Sequence, residues 1–458
     1  MPLKSHTFGT NAFPSTYEVT KSETLQLTDM CGGSNKYYLG ELHKSGCQYR
    51  IYTSYGRTGA AYAAKEERFP ERSNAESEFD ALIKSKIKKG YRKVEMAATS
   101  QGTDVGNTRI LSTDVKLTPT VTKNSVSLEA SIVNLVTRLY NAAGQSCQSQ
   151  LQGSLQTSAK NPLGTLTQGQ IAAGKQVLYD VNQYLAANKH LINSVDPKIV
   201  KFSNEFYSAI PQNIPLRPKD EGSRVSWLAQ HCLNRPAILD EKSDLLDLLG
   251  DVKGMIQGFD STDIGVKYQQ LNCDIRPATS AEHTYAKQYM EGSQSSRHSW
   301  SVRLLEVWSV INKNQFVNDP ILQETGNVQE LFHGSRAANI LGICKSGLLL
   351  RPPGAYVTGS MFGNGLYFAD KSTKSSQYAT ADYSYSSRRT DNSAFMFIAQ
   401  VALGKIKEYQ DAQTHLREAP AGHHSVKGCA GRSLVHNEYI IYRIKQHKLK
   451  FLCRFEQT

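Results

Sequence analysis

Cysteine is sparse and scattered in this chain of 458 residues. The eight are Cys31, Cys47, Cys147, Cys232, Cys273, Cys344, Cys429 and Cys453. They form no C-x-x-C pair, and no histidine pair follows at zinc-finger spacing. That argues against zinc fingers and against a disulfide framework, and it suits a reducing compartment. No apolar run approaches the length of a membrane span, and Met1 to Thr10 lack the apolar stretch of a secretory signal. A Walker loop is missing. Gly363-Asn364-Gly365 is not a G-x-G-x-x-G behind a strand, so a Rossmann site is not supported either. There is no internal repeat and no low-complexity tract.

What remains is a soluble, globular composition, 39% hydrophobic and 21% charged. At this length one core does not suffice, and two to four domains are expected. Lys and Arg number 53 against 41 Asp and Glu, a net charge of +12. Such a surplus favours a polyanionic partner such as nucleic acid, although many solvated surfaces are also basic.

Residues 1–25 are polar and patternless and read as a tail. Tyr37–Leu42 and Cys47–Tyr52 are aromatic-rich and strand-like, joined by the turn Lys44-Ser45-Gly46. Tyr55-Gly56-Arg57-Thr58-Gly59 reads as a second turn. Glu76–Lys89 has Phe79, Leu82, Ile83 and Ile87 on one side and lysines on the other, a helix stopped by Gly90. Residues 101–124, rich in Thr, Ser and Asp, read as a linker. From Val126 to Gly258 helical periodicity dominates. Ile132, Leu135, Val136 and Leu139 make one apolar face, and Pro162-Leu163-Gly164 breaks the run. Thr167 with Gln170 forms a capping box before a helix bearing Ile171, Val177, Leu178 and Val181. Leu245, Leu246, Leu248, Leu249 and Val252 mark a late helix. Strand signals return from Tyr268. Phe395–Leu403 is continuous and apolar, as for a buried strand, and Val435–Ile444 and Lys448–Phe455 read as two final strands.

Three short pieces in the last third carry chemistry. They are Leu331-Phe332-His333-Gly334-Ser335, Gly365-Leu366-Tyr367-Phe368-Ala369-Asp370 and Asn437-Glu438-Tyr439-Ile440-Ile441-Tyr442. Each is an apolar run with one or two polar residues, and together they offer a His, a Tyr and a Glu to one pocket. This resembles the His-Tyr-Glu signature of the DNA-dependent poly(ADP-ribose) polymerases. The resemblance extends upstream. Asn35-Lys36-Tyr37-Tyr38, Tyr55-Gly56-Arg57-Thr58-Gly59 and Lys89–Glu95 are similar to the family's Trp-Gly-Arg domain, with Tyr55 in place of the Trp. Pro162–Leu166 and Leu245–Leu249 are similar to its helical regulatory domain. The resemblance implies an α+β multidomain protein. Its parts would be a tail at 1–25, a β-rich Trp-Gly-Arg domain at 26–115, an all-α regulatory domain at 120–258, and a mixed α+β ADP-ribosyltransferase domain with antiparallel sheets at 262–458.

The reaction so implied is displacement of nicotinamide from NAD+, consumed as a substrate, with no metal. Its transition state is a ribosyl oxocarbenium ion, so the protein must position the dinucleotide and stabilise positive charge. The resemblance assigns Glu438 to a hydroxyl of the nicotinamide ribose. An ionised carboxylate there stabilises the cation and can polarise an acceptor hydroxyl. Taken alone, a strand glutamate is more often an outward-facing charge. His333 is assigned to an adenosine-side ribose hydroxyl; a lone His after an apolar pair is more commonly a satisfied core residue. Gly334 is assigned to the carboxamide, because a residue without a side chain lets its main chain approach a flat amide; otherwise it is a turn glycine. Ser335 is assigned to the adenosine end and Ser375 to the amide oxygen. Tyr367 and Tyr378 are candidate stacking faces. Lys371–Asp382 reads as a helix, which makes Ser375 and Tyr378 an i, i+3 pair. With 23 tyrosines in the chain either one could be core, and the spacing Tyr367, Ser375, Tyr378 is what favours the pocket. The resemblance gives Arg351, with Asn339, as second-tier contacts near the adenine and phosphates; Arg351 could equally be a surface charge.

Departures from the family pattern fall on the acceptor side. Asn364 stands where a lysine is common, the stretch from Gly422 to Glu438 is short, and His436 replaces an aromatic. For DNA, Tyr55 and Arg57 with Lys84, Lys86, Lys88, Lys89, Arg92 and Lys93 suggest a surface for strand breaks. An aromatic stacks on a terminal sugar or base there, and Arg forks to phosphate, with Gly56 between them. The same lysine stripe would otherwise be a solvated helix face. The helical segment would cover the NAD pocket until DNA loosens it. Acceptor proteins, the chain itself included, are the implied partners, with no membrane. The nucleus is the implied location, or the cytoplasm in a bacterium. The alternatives are a mono-ADP-ribosyltransferase and a DNA-end-binding scaffold without activity.

Overall fold

A computed structural model describes residues 13–14, 17–58, 60, 64–94, 128–150, 166–255, 259, 261–313, 320–350, 361–379 and 393–458, the side chains of 148–150 and 393 excepted. The chain divides into two compact units. One comprises residues 1–124 and 147–250, the other 125–146 and 251–458.

The first unit begins with an antiparallel five-stranded sheet, ordered β4-β3-β2-β1-β5. Its members are β1 (Glu18–Asp29), β2 (Ser34–Ser45), β3 (Gln48–Arg57), β4 (Ala64–Arg68) and β5 (Arg92–Val94). Helix α1 (Ala75–Lys88) lays Phe79 and Ile83 on Leu25, Tyr38, Leu42 and Ile51. Gly90 follows at φ +89°, the left-handed stop that a helix end favours. The hairpin expected around Lys44–Gly46 is present. Two readings are corrected. Residues 18–25 are not tail but the first part of β1, paired along its length with β2. Their signal was hidden because residues 18–24 are polar apart from Val19 and at most half-buried, and the rest of the strand buries polar groups as well. Gln26, Thr28, Asn35 and Thr58 bond one another, with Gln26 Nε2 donating to Asn35 Oδ1 at 2.9 Å and to Thr58 Oγ1 at 3.0 Å. Tyr55-Gly56-Arg57 is not a turn but the end of β3, with Gly56 opposite Tyr37; this glycine takes extended backbone.

Helices α2 (Ala130–Gln150), α3 (Gln168–Ala187), α4 (Pro197–Ala209), α5 (Glu221–His231) and α6 (Pro236–Gly254) occupy the region of helical periodicity. Thr167 and Gln170 form the expected reciprocal capping box. Asp196 caps α4 ahead of Pro197, and Asp220 caps α5. Gly174 in α3 has no room for a Cβ, which would sit 2.8 Å from Ile210. Pro162-Leu163-Gly164 and Gly258 lie outside the described residues.

The second unit carries two sheets. The larger is antiparallel and ordered β6-β7-β14-β10-β8, and the smaller is ordered β11-β12-β13-β9. In chain order the elements are α7 (Ile264–Gln270), β6 (Cys273–Pro277), α8 (Ser280–Gly292), β7 (Val302–Asn312), α9 (Ile321–Thr325), β8 (Val328–Ser335), α10 (Ala337–Ser346), β9 (Leu366–Phe368), α11 (Ser372–Ala379), β10 (Ser393–Ala402), β11 (Ile406–Tyr409), β12 (Ser425–Gly428), β13 (Glu438–Ile441) and β14 (His447–Gln457). The apolar run expected as a buried strand is β10, central between β14 and β8. Its Met396 and Ile398 pack with Met290, Phe332, Phe451 and Phe455. Three expectations shift. Tyr268 lies in α7, and its hydroxyl meets the backbone of Ile275 at the start of the sheet. The strand read as Val435–Ile444 shrinks to β13, because a 3-10 turn, Ile444–Gln446, intervenes before β14. One pair, β11 with β12, is parallel.

His447, at the head of β14, is 3% exposed, and burial pushes its pKa down from its ordinary 6.5 to about 4. The fold therefore holds it neutral, while the unfolded chain binds a proton below 6.5. The stability tied to this group is complete above pH 6.5 and is lost as pH falls through about 4, a difference of about 3 kcal/mol. His447→Gln should flatten the acid side of a plot of Tm against pH over that interval. Parallel curves for variant and wild type would rule the assignment out.

Candidate active site

The larger sheet ends, on one side, at β8, and the smaller sheet ends at β9. A two-bond bridge joins them. Phe332 N donates to Ala369 O at 2.8 Å, and Ala369 N donates to Phe332 O at 3.0 Å. The bridge sets His333 beside Tyr367, and His333 Nδ1 donates to Tyr367 O at 2.9 Å. That bond fixes the tautomer. With the proton on Nδ1, Nε2 carries the lone pair and is an acceptor. Burial lowers the His333 pKa and outweighs the carbonyl, which favours the cation. The imidazole is therefore neutral at neutral pH.

Tyr367 is half-buried. Its hydroxyl donates to Gly363 O at 2.9 Å and accepts from Phe362 N at 3.0 Å. Tyr442 donates to Phe362 O at 2.6 Å. These tyrosines thus hold the 361–365 turn. The glycines of that turn serve packing. A Cβ on Gly363, at φ +73°, would fall 1.9 Å from Leu416 O, and one on Gly365 would fall 2.2 Å from Ile440. Tyr367 pairs with Ile440 across β9 and β13. Strand side chains alternate, so Glu438, two residues before Ile440, shares the face of Tyr367.

Helix α11 closes the site. Ser375 is buried, and its hydroxyl donates to Phe332 O at 3.2 Å. A Cβ on Gly334 would lie 1.9 Å from Ser375 O. Glycine at 334 is therefore required by the approach of β8 and α11, whatever its ligand. Tyr378, on the next turn, is 53% exposed. The i, i+3 spacing does not give it the surroundings of Ser375, and it is not a core aromatic. Ser335 ends β8, and Asn339 lies in the first turn of α10; both are half-buried. Arg351 lies outside the described residues.

Lys374 was not singled out by the sequence reading. Its Nζ lies 2.9 Å from Glu438 Oε1, and the two side chains are only 15% and 7% exposed. Burial lowers the Lys374 pKa, but the bond to Glu438 and its charge outweigh burial and raise the amine above its ordinary value. The same ammonium sits 5.7 Å from the Tyr378 ring, its i+4 neighbour. That i, i+4 spacing was the available signal. Glu438 Oε2 is buried and has no partner among the described residues, and the same is true of Asp370 Oδ1. Asp370 Oδ2 accepts from Asn437 Nδ2 at 3.1 Å and from the Tyr439 hydroxyl at 3.3 Å. Two acidic oxygens are thus left for outside donors such as sugar hydroxyls. No group of three or more His, Cys, Asp or Glu among the described residues could hold a metal ion.

At the sheet of the first unit, Tyr55 stacks on Tyr38 with centroids 5.6 Å apart, and its hydroxyl bonds Glu66. Lys86 Nζ lies 4.0 Å from the Tyr38 centroid and 5.5 Å from that of Tyr55. Arg57 is not presented free. Its Nη2 donates to Ile214 O at 2.8 Å and Pro215 O at 3.1 Å, and burial lowers its pKa. Gly56 is half-buried between them. Lys84, Lys88 and Lys89 are exposed, whereas Arg92 pairs with Glu205 and Lys93 with Glu23.

Three known domain families match successive parts of the chain. Residues 22–98 match the WGR domain, 126–263 the poly(ADP-ribose) polymerase regulatory domain, and 280–433 the poly(ADP-ribose) polymerase catalytic domain. The last match takes in His333 and Tyr367 and stops before Glu438. The chain is 27% identical over 478 residues to "Poly [ADP-ribose] polymerase 1" of Danio rerio, covering 94% of this chain and 44% of the relative. The namesake in Arabidopsis thaliana is 27% identical over 477 residues, covering 94% and 46%. "Poly [ADP-ribose] polymerase 2" of Homo sapiens is 25% identical over 485 residues, covering 94% and 79%. The chain spans less than half the length of the first two relatives.

The buried pair makes a prediction. Lys374→Met leaves an unpaired buried carboxylate and should cost about 3–5 kcal/mol of stability. Adding Glu438→Gln to it should recover most of that loss. Chemical denaturation of the two single variants and the double variant measures this. Strictly additive losses would show that the two groups are not coupled.

Proposed function

Because this chain belongs to the family of DNA-dependent poly(ADP-ribose) polymerases, we propose that it cleaves NAD+ at the nicotinamide bond and transfers ADP-ribose to protein and to growing ADP-ribose chains when it meets a DNA break. The observation that carries the reading is the buried Glu438 carboxylate. It is held by Lys374 on one oxygen, has the other oxygen unpartnered, and lies on the face that bears Tyr367.

Nicotinamide leaves as a neutral molecule with the electron pair of the C–N bond, and the ribose carbon becomes an oxocarbenium ion. Glu438 Oε2 accepts a ribose hydroxyl and places negative charge beside that cation. Lys374, held above its ordinary pKa, keeps a cation against Glu438 Oε1 and fixes the carboxylate in place. His333 Nε2, an acceptor by its tautomer, takes a hydroxyl of the adenosine ribose. Tyr367 and Tyr378 offer the faces for the nicotinamide ring and Gly334 its main chain for the carboxamide, while Ser375 would turn its one proton from Phe332 O to the amide oxygen. Ser335, Asn339 and Arg351 serve the adenosine and phosphate end. In chain growth an acceptor hydroxyl attacks the ribose carbon and its proton passes to Glu438, then to solvent.

The DNA part rests on the basic stripe of α1 and the Tyr55–Arg57 strand end. Lys84, Lys88 and Lys89 neutralise phosphates without reading sequence, so binding should weaken steeply with salt. Arg57 already grips the carbonyls of 214–215, so an incoming phosphate would compete with that grip and alter the helical segment's anchorage. Acceptor proteins, including the chain itself, are the proposed partners, and the nucleus is the proposed location. Among the described residues no helix is long and apolar enough to cross a membrane.

Labelled NAD+, incubated with the chain with and without a 5′-phosphorylated nicked duplex, tests the proposal. The expected result is a DNA-dependent smear of labelled protein. Glu438→Gln should reduce the smear to a band or abolish it. A sharp band from both proteins would make the chain a mono-ADP-ribosyltransferase. Binding of the duplex with no label incorporated would make it a scaffold.

A further inference from the structure

The loop between α8 and β7 is fastened at two places in the second unit. On one side it grips α11. Ser295 N donates to Thr373 Oγ1 at 3.0 Å, and Trp300 Nε1 donates to Ser376 Oγ at 3.2 Å. On the other it grips the approach to β13. Arg297 Nη1 donates to Val435 O at 3.2 Å. Between these anchors, His298 Nε2 faces His436 Nε2 at 3.1 Å. His298 stacks on Trp300 with centroids 4.3 Å apart, and His436 is 6% exposed. His436 lies two residues before Glu438, whose ion-pair partner Lys374 is on α11. The histidine pair therefore closes a ring that runs from α11 through the loop to the strand of Glu438, and back through Lys374.

We propose that His436, bonded to His298, is a positioning residue for Glu438, and that it does this work only while the two rings share no more than one proton at the facing nitrogens. This inference rests on the NAD-cleaving reading and goes beyond it.

The chemistry of the pair follows from its geometry. Two facing Nε2 atoms bond only if one carries a proton and the other a lone pair. The amide nitrogen of Gln377 lies 3.4 Å from His298 Nε2 and can donate to the same atom. Gln377 favours the lone pair on His298 with His436 Nε2–H as the donor. The buried His298 Nδ1, unpartnered among the described residues, favours the reverse, and in either case one proton lies between the rings. One added proton leaves this contact bonded. A second puts a hydrogen on both facing nitrogens and two cations side by side, and the contact must open.

The surroundings oppose that second proton. Burial lowers the His436 pKa, as do His298, Lys374 on α11 and Arg297 on the loop, against Asp370 after β9, which raises it. Burial and Lys374 lower that of His298. Both rings start from an ordinary 6.5. The pair is therefore neutral and bonded at neutral pH and opens only on the acid side of 6.5.

The test follows nicotinamide release from NAD+ against pH, with nicked duplex present throughout, for wild type, His436→Gln and His436→Phe. A glutamine amide can bond His298 Nε2 whether or not that nitrogen is protonated, and a phenyl ring cannot bond it at all. We expect kcat of the Phe variant to be about tenfold lower at about pH 7.5, with KM for NAD+ little changed. The Gln variant should keep at least about half of the wild-type kcat there and lose its activity at lower pH than wild type does. Thermal unfolding of each variant separates positioning from collapse. If the Phe variant does not fold, the shift of the acid limb in the Gln variant carries the test. A folded Phe variant with wild-type kcat, or a Gln variant whose acid limb superimposes on that of wild type, overturns the inference. Wild type that releases no nicotinamide at any pH overturns the enzyme reading, and this inference with it.

Discussion

Two backbone hydrogen bonds between Phe332 and Ala369 hold the candidate site together. Without them β8 and β9 would be the free ends of separate sheets. With them His333 and Tyr367 become neighbours although 34 residues apart in sequence. The bridge also fixes what each side chain can do. It brings the Tyr367 carbonyl to His333 Nδ1, which leaves the other imidazole nitrogen as an acceptor. It places β13 beyond β9, so that Glu438 arrives on the same face as Tyr367. The chemistry thus follows from a sheet junction more than from any one side chain.

The junction explains which parts could be read from sequence. A continuous apolar run announced β10, helical periodicity announced α1 and α6, and Thr167 with Gln170 announced the cap of α3, because each is a local pattern answered locally. The motifs around His333, Tyr367 and Glu438 were also legible as short apolar runs with polar insertions. Three things were not. The start of β1, residues 18–24, is polar but for Val19 and at most half-buried, and its far end carries Gln26 and Thr28 into a buried polar cluster, which no hydrophobic alternation signals. Tyr55–Arg57 looked like a turn because Gly and a following Thr-Gly are turn residues, yet ladder pairing with Lys36–Tyr38 keeps it extended. Lys374 looked like any helical lysine, and only the fold sets it against a carboxylate 64 residues away in sequence.

That last case shows a general limit on reading such sites. Burying a lysine and a glutamate is costly for each alone and tolerable only as a pair. Only geometry reveals the pair, and neither residue carries a local sign of it. The histidines behind it are similar. His298 lies in a loop with no periodic pattern, and its partner His436 was noticed only as a departure from an aromatic. Polar residues buried by long-range contact are the part of a fold that sequence patterns describe least, and here they surround the chemistry.

The collision at Gly334 has a consequence for selection. A side chain there would strike Ser375 O before it reached anything on the ligand side. A compound that hydrogen-bonds the main chain of Gly334 would meet groups that no substitution short of proline removes, and proline's own Cβ would enter the same collision. Escape from such a compound by substitution at that position would dismantle the contact between β8 and α11 first. Of the two residues proposed for the ring and the carboxamide on α11, the exposed Tyr378 has more freedom to vary than the buried Ser375.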